Sequence, residues 1–170
     1  MANKVPITRI SKFFGEQDFN LNISMGEEWL YGDMNFTLVL YRVDKNKTNQ
    51  DDVYGEALTD SVSYLAPIEI KAFVKIESPA QATFGNSKLS QTEPGNLIMS
   101  VYLHYLEEEA ITISYGDYIG YPETESRMRY YSVADDGRIT SDNKHTYGGY
   151  KPFYRTFICT PVSEDEFKGI

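Results

Sequence analysis

Apolar residues occupy every second position along Ile68–Ile76. Ile68, Ile70, Ala72, Val74 and Ile76 share one face, and Glu69, Lys71, Phe73 and Lys75 share the other. A period of two marks a half-buried strand. Phe36–Val43 is apolar on both faces and reads as a central strand. Leu97–Leu103 sets Leu97, Met99, Val101 and Leu103 against Ile98, Ser100 and Tyr102, and Met128–Val133 and Phe153–Thr160 add two further strands. Shorter strands are expected at Ile111–Ser114 and Tyr118–Tyr121. Tyr115-Gly116-Asp117 supplies a tight corner, and Asp135-Asp136-Gly137 a hairpin loop in which glycine takes positive φ. Gly148-Gly149 ends the polar stretch Thr140–Tyr147.

Helical pattern is scarce. Leu106–Ala110 is too short to assign, and Ser11–Phe14 opens at most one helical turn. The expected fold is therefore all-β: a single-domain β-sandwich or small β-barrel over residues 33–170. Its core is expected to include Leu38, Leu40, Ile70, Val74, Val101 and Phe157. Residues 1–32 show no strand pattern and read as an extended arm ordered by partners. Asp44–Asp52 and Ser78–Gly95 are polar stretches long enough to count as functional loops.

Composition supports the strands. Fourteen Tyr, nine Phe and one Trp suit a pleated surface, and 41% apolar residues in 170 allow one substantial core. Charge narrows the partners. The net −9 is spread evenly, with 8 basic and 12 acidic residues in 1–85 and 8 and 13 in 86–170. No half is a basic module, which disfavours a phosphate-gripping role. Cys159 is the single cysteine, so no internal disulfide framework exists. No apolar run approaches the ~20 residues of a membrane span, and Met1–Ser11 lacks the continuous apolar core of a secretory signal. A soluble protein made in the cytosol is the expectation.

Candidate chemistry is thin. His104 and His145 stand 41 residues apart, without His-x-x-x-His or Cys-x-x-Cys spacing, so no zinc site is expected. His104 reads as lining a strand and His145 as lying in a loop. Asp44–Asn49 begins like a calcium loop, but its sixth position is Asn49 and its twelfth is Gly55, so the match fails. Cys159 lies inside an apolar strand, where it reads as a small buried hydrophobe. The motifs Gly-x-Ser-x-Gly, Gly-x-Gly-x-x-Gly and the P-loop are absent. Glu107, Glu108 and Glu109 are adjacent and so point in different directions, unlike a convergent acid–base pair. Tyrosines crowd the last third of the chain and suit core packing, protein interfaces or a sugar-stacking platform.

Three stretches in order carry a family resemblance. The first is Asp51-Asp52-Val53-Tyr54-Gly55-Glu56-Ala57 with Tyr64–Ile70. The second is Tyr115-Gly116-Asp117-Tyr118-Ile119-Gly120-Tyr121 with Arg129–Val133. The third is Tyr147-Gly148-Gly149-Tyr150-Lys151-Pro152-Phe153-Tyr154-Arg155-Thr156, running into Phe157–Val162. This order over residues 50–162 resembles neck (head-completion) proteins of tailed bacteriophages.

The resemblance implies a structural virion protein without catalytic residues, cofactor or metal. Such a protein forms a six- or twelve-fold homo-oligomeric ring of the head–tail connector and is assembled in the host cytoplasm. Its partners are portal or adaptor proteins on one side and tail proteins on the other. Genomic DNA passes nearby without specific binding, and no membrane is involved. Interface candidates are Tyr54, Gly55, Glu56, Tyr147, Tyr150 and Tyr154; candidate channel-facing acids are Glu107, Glu108 and Glu109. The alternatives are another tail protein (a tail terminator or baseplate subunit) and a carbohydrate-binding β-sandwich.

Overall fold

The computed structural model describes residues 15–32, 36–48, 62–83, 90–93, 95–137, 146–147, 151–163 and 167. In chain order the elements are α1 (Glu16–Tyr31), β1 (Thr37–Tyr41), β2 (Ile68–Lys71), β3 (Phe73–Ile76), β4 (Ala80–Thr83) and β5 (Ser90–Glu93). They continue with β6 (Leu97–Tyr102), α2 (Leu103–Glu108), β7 (Tyr118–Thr124), β8 (Arg127–Asp135), β9 (Thr146–Tyr147), β10 (Lys151–Pro152) and β11 (Tyr154–Pro161).

Seven strands form one antiparallel sheet in the order β2-β1-β7-β8-β11-β6-β3. The expected β-rich architecture is thus what the chain adopts. β2 and β3 stand at opposite edges of that sheet, yet Ala72 alone separates them in the chain. Two residues reach at most ~7 Å. Six strand-to-strand steps of ~4.8 Å would hold the edges of a flat sheet ~29 Å apart. The sheet therefore curls until its edges meet at Ala72, and Ile68–Ile76 is a single bent stave shared by both edges. Its first half pairs with β1 (Leu38↔Ile70) and its second with β6 (Val74↔Met99). Ala72 at the bend is fully buried, and its amide donates to the Phe36 carbonyl at 3.2 Å.

Period-two alternation fills the interior. Leu38 and Leu40, Ile70, Leu97, Met99 and Val101, Ile119, Tyr131 and Val133, and Phe157 and Cys159 are all buried. Every stave contributes, so the core is one continuous cluster. Of the expected core residues, Leu38, Leu40, Ile70, Val101 and Phe157 are inside, whereas Val74 is only partly buried against them. Both predicted glycine corners form: Gly116 has φ +86° and Gly137 +59°. At Gly137 a side chain would also run into the Thr156 carbonyl.

Four expectations need correction. Residues 16–31 are not an extended arm but a sixteen-residue helix, seated through Phe19, Gly26 and Leu30. Its Gly15 amide donates to Asp18 Oδ2 at 3.0 Å, and Glu16 and Asp18 sit favourably at the positive end of the helix. The strand from Leu97 stops at Tyr102, and Leu103 begins α2, so His104 is helical. Ile111–Ser114 alternates buried and open positions but belongs to no strand. Within Ser78–Gly95, Ala80–Thr83 pairs with Ser90–Glu93 as a separate two-stranded sheet. The Glu77 amide bonds the Asn96 carbonyl at 2.9 Å, so this ribbon prolongs the β3–β6 hairpin away from the barrel wall.

Candidate functional site

The helix α1 is apolar on two sides. Its inner side packs Phe19 against Phe153 (centroids 6.0 Å apart) and buries Leu30. Its outer side leaves Leu21, Met25 and Trp29, at i, i+4 and i+8, 63%, 62% and 51% exposed. Three large apolar side chains in one solvent-facing row form the kind of patch that marks an interaction surface. Beside the row runs an open groove of about 710 Å³, lined by Met25, Gly26, Trp29 and Tyr102 among others.

Gly26 makes that groove possible. A Cβ there would stand 2.5 Å from Tyr102 Oη and 2.7 Å from its Cζ. The Tyr102 ring is held in turn by Phe73 (5.4 Å) and Phe153 (4.9 Å). Trp29 leans on Phe73 at 5.9 Å, which fixes the end of the apolar row nearest the barrel.

The junction of α1 and α2 is an acidic pole. Neither helix has a basic residue in its last turn. Glu27 and Glu28 stand near the C-terminal end of α1, and Glu107, Glu108 and Glu109 at that of α2, where helix dipoles disfavour negative charge. Burial, and then the Glu27 carboxylate, push the Tyr102 phenol above its ordinary value. Among these carboxylates sits His104, whose Nδ1 lies 3.0 Å from Glu27 Oε1 and 3.6 Å from Glu108 Oε2. α2 closes with Ala110 in the left-handed region (φ +51°), and the Ile111 amide reaches back to the Leu106 carbonyl at 2.9 Å.

Asp117, in the predicted Gly116–Asp117 corner, is a structural latch. Its carboxylate accepts the Ser114 amide at 2.8 Å and the Val43 amide at 3.1 Å, tying the corner to the end of β1. Burial pushes its carboxyl above the usual range, against the opposing pull of those two amides. On the outer face nearby, Phe167 is buried among Tyr41, Tyr64, Tyr118 and Tyr130, stacking on Tyr130 at 4.1 Å.

Of the residues singled out from sequence, Tyr54, Gly55, Glu56 and Tyr150, with His145, lie outside the described residues. Tyr147 is placed by its backbone in β9, opposite Lys151. Tyr154 begins β11 opposite Tyr102 and packs half-buried against the core, 6.1 Å from Phe153. Glu107, Glu108 and Glu109 are exposed together at the end of α2. Cys159 is inside the barrel, where burial pushes its thiol up to about 12, a poor setting for a nucleophile. Of the polar stretch Asp44–Asp52, residues 44–48 are described, and there Asp44 accepts the Asn46 amide at 3.0 Å. The outer row of α1 and the clustering of Glu27, His104 and Glu108 are new relative to the sequence reading. Only His104-x-x-x-Glu108 hinted at the latter, and only for a helical 103–108. No protein-family model and no curated protein matches this chain.

Proposed function

We propose that this chain is a structural virion protein, a ring-forming subunit of the neck or head–tail connector that joins portal to tail in a tailed bacteriophage. The observation that carries the reading is the uncovered Leu21–Met25–Trp29 row on α1. Covering what remains exposed of these side chains in a neighbouring subunit contributes roughly 3–5 kcal/mol, at ~1.5–3 kcal/mol for each fully buried large apolar residue. Repeated head to tail, such contacts would close a ring where the rotation between copies is a whole fraction of a turn.

Two further features agree. The β4–β5 ribbon extends from the barrel as a two-stranded sheet, and such ribbons are marginal in water without a partner to lean on. The net charge of −9, with Glu107, Glu108 and Glu109 exposed, suits a wall past which a polyanion slides without being held. A sugar-stacking role for the tyrosines is less well supported, because Phe167 already covers Tyr118 and Tyr130. The resemblance in motif order over residues 50–162 supplies the phage context.

The test is incorporation. Replacing Leu21, Met25 and Trp29 together by Gln keeps the helical circular dichroism, with a fall of a few degrees in unfolding temperature from the lost Trp29–Phe73 contact. The variant should fail to enter particles in a complementation assay scored by mass spectrometry of purified virions. Full incorporation of the triple variant would refute the reading.

A further inference from the structure

We propose that Glu27, His104 and Glu108 form a divalent-metal site of the zinc class that pins α1 to α2. The inference is independent of the virion reading, since it rests on ligand geometry alone. One ligand atom from each residue falls within 4.8 Å of the others. Around a tetrahedral zinc, with bonds of ~2.0–2.2 Å, neighbouring ligand atoms stand ~3.4 Å apart. The His104 Nδ1 separations of 3.0 and 3.6 Å straddle that value.

Electrostatics makes the same demand. Two carboxylates and an imidazole nitrogen converge there, with Glu108 at the C-terminal, negative end of α2, His104 in its first turn and Glu27 just before the last turn of α1, and neither helix carries a basic residue in its last turn. Nδ1 is itself shielded from solvent and makes no aligned hydrogen bond despite the 3.0 Å approach of Glu27. A divalent cation at the centre would satisfy all three groups at once.

The donor set selects the class. One imidazole nitrogen with two carboxylate oxygens suits borderline first-row divalent ions, whereas calcium and magnesium prefer all-oxygen shells. Three protein ligands leave a fourth position for water or for a side chain from a neighbouring subunit. His104 and Glu108, four apart on α2, present one side of a single turn, and Glu27 brings in the other helix. The bound ion therefore crosslinks the N-terminal helix to the barrel.

The experiment is calorimetric titration of the full chain, free of any histidine tag, with zinc chloride at pH 7, repeated with cobalt chloride under visible spectroscopy. One zinc per chain is expected, with micromolar affinity or better, together with the ligand-field absorption of tetrahedral cobalt and a rise in unfolding temperature. Glu27→Gln should weaken binding at least about tenfold, and His104→Ala should abolish it. Glu108→Gln lies at an exposed position and keeps the test decisive if His104→Ala fails to fold. His145→Ala should bind as the native chain does. Absence of stoichiometric binding at millimolar zinc would overturn the proposal and leave a proton on Nδ1 as the bridging cation. Undiminished binding in both His104→Ala and Glu108→Gln would overturn it equally.

Discussion

Replacing Gly26 by Ala sets two effects of known size against each other. Within a helix, alanine is favoured over glycine by about 1 kcal/mol. Here the new methyl would meet the Tyr102 ring at 2.5 Å from Oη and 2.7 Å from Cζ, far inside the ~3.5–4.0 Å of ordinary contact. The ring has little room to yield, because Phe73 and Phe153 pack against it and it is only 7% exposed. Overpacking of this kind costs ~1–3 kcal/mol. The clash therefore wins, and Gly26→Ala should lose roughly 1 kcal/mol net, or ~2–4 °C in unfolding temperature for a chain of this size. Urea unfolding followed by Trp29 fluorescence and circular dichroism measures it. Ser24→Ala, at an exposed position of the same helix, serves as the control and should gain a few tenths of a kcal/mol. If Gly26→Ala were stabilised by the full helical preference, α1 would not be seated on Tyr102, and the groove beside Trp29 would not exist as described.

Asp117→Ala removes the acceptor of two amides and should cost about 2–4 kcal/mol by chemical denaturation. Because burial raises the Asp117 carboxyl, its linked stability is fully present below the unfolded value near ~3.9 and is lost as pH rises through the folded value. Asp117→Asn should flatten that part of the stability–pH profile. Cys159, with its thiol pushed up to about 12, should resist alkylation in the native state at pH 8 and react at once in denaturant. Ala110→Gly relieves a left-handed residue and should stabilise by about 0.5 kcal/mol, the strain of ~1–2 kcal/mol being partly offset by glycine's entropy.

Several staves of the barrel were legible because they alternate, as Leu97–Val101 and Ile68–Ile76 do, and Phe36–Val43 was legible as an apolar run. Pairing was not legible. Ile68–Ile76 reads as one strand, and nothing in its alternation says that its halves serve opposite edges of the sheet, a fact held by long-range partners in β1 and β6. The helix α1 escaped for a more instructive reason. Its buried row contains Gly26, and its solvent row contains Leu21, Met25 and Trp29, so the contrast between faces that marks an amphipathic helix is nearly erased. The same residues that hid the helix are those proposed to bind a neighbour. The Gly116–Asp117 corner was visible as a turn, whereas the reach of Asp117 to Val43, 74 residues away, depends on the closed barrel. Glu27 meets His104 by the same kind of distant juxtaposition, and its helical partner Glu108 was obscured by reading Leu103 as the end of a strand.

Electron cryomicroscopy of intact particles tests the central claim most directly. The account predicts six or twelve copies of this barrel around the DNA channel between portal and tail. In each copy the Leu21–Met25–Trp29 row and the β4–β5 ribbon should be covered by an adjacent subunit. A particle without this chain, or a ring in which the α1 row faces open solvent in every copy, would contradict it.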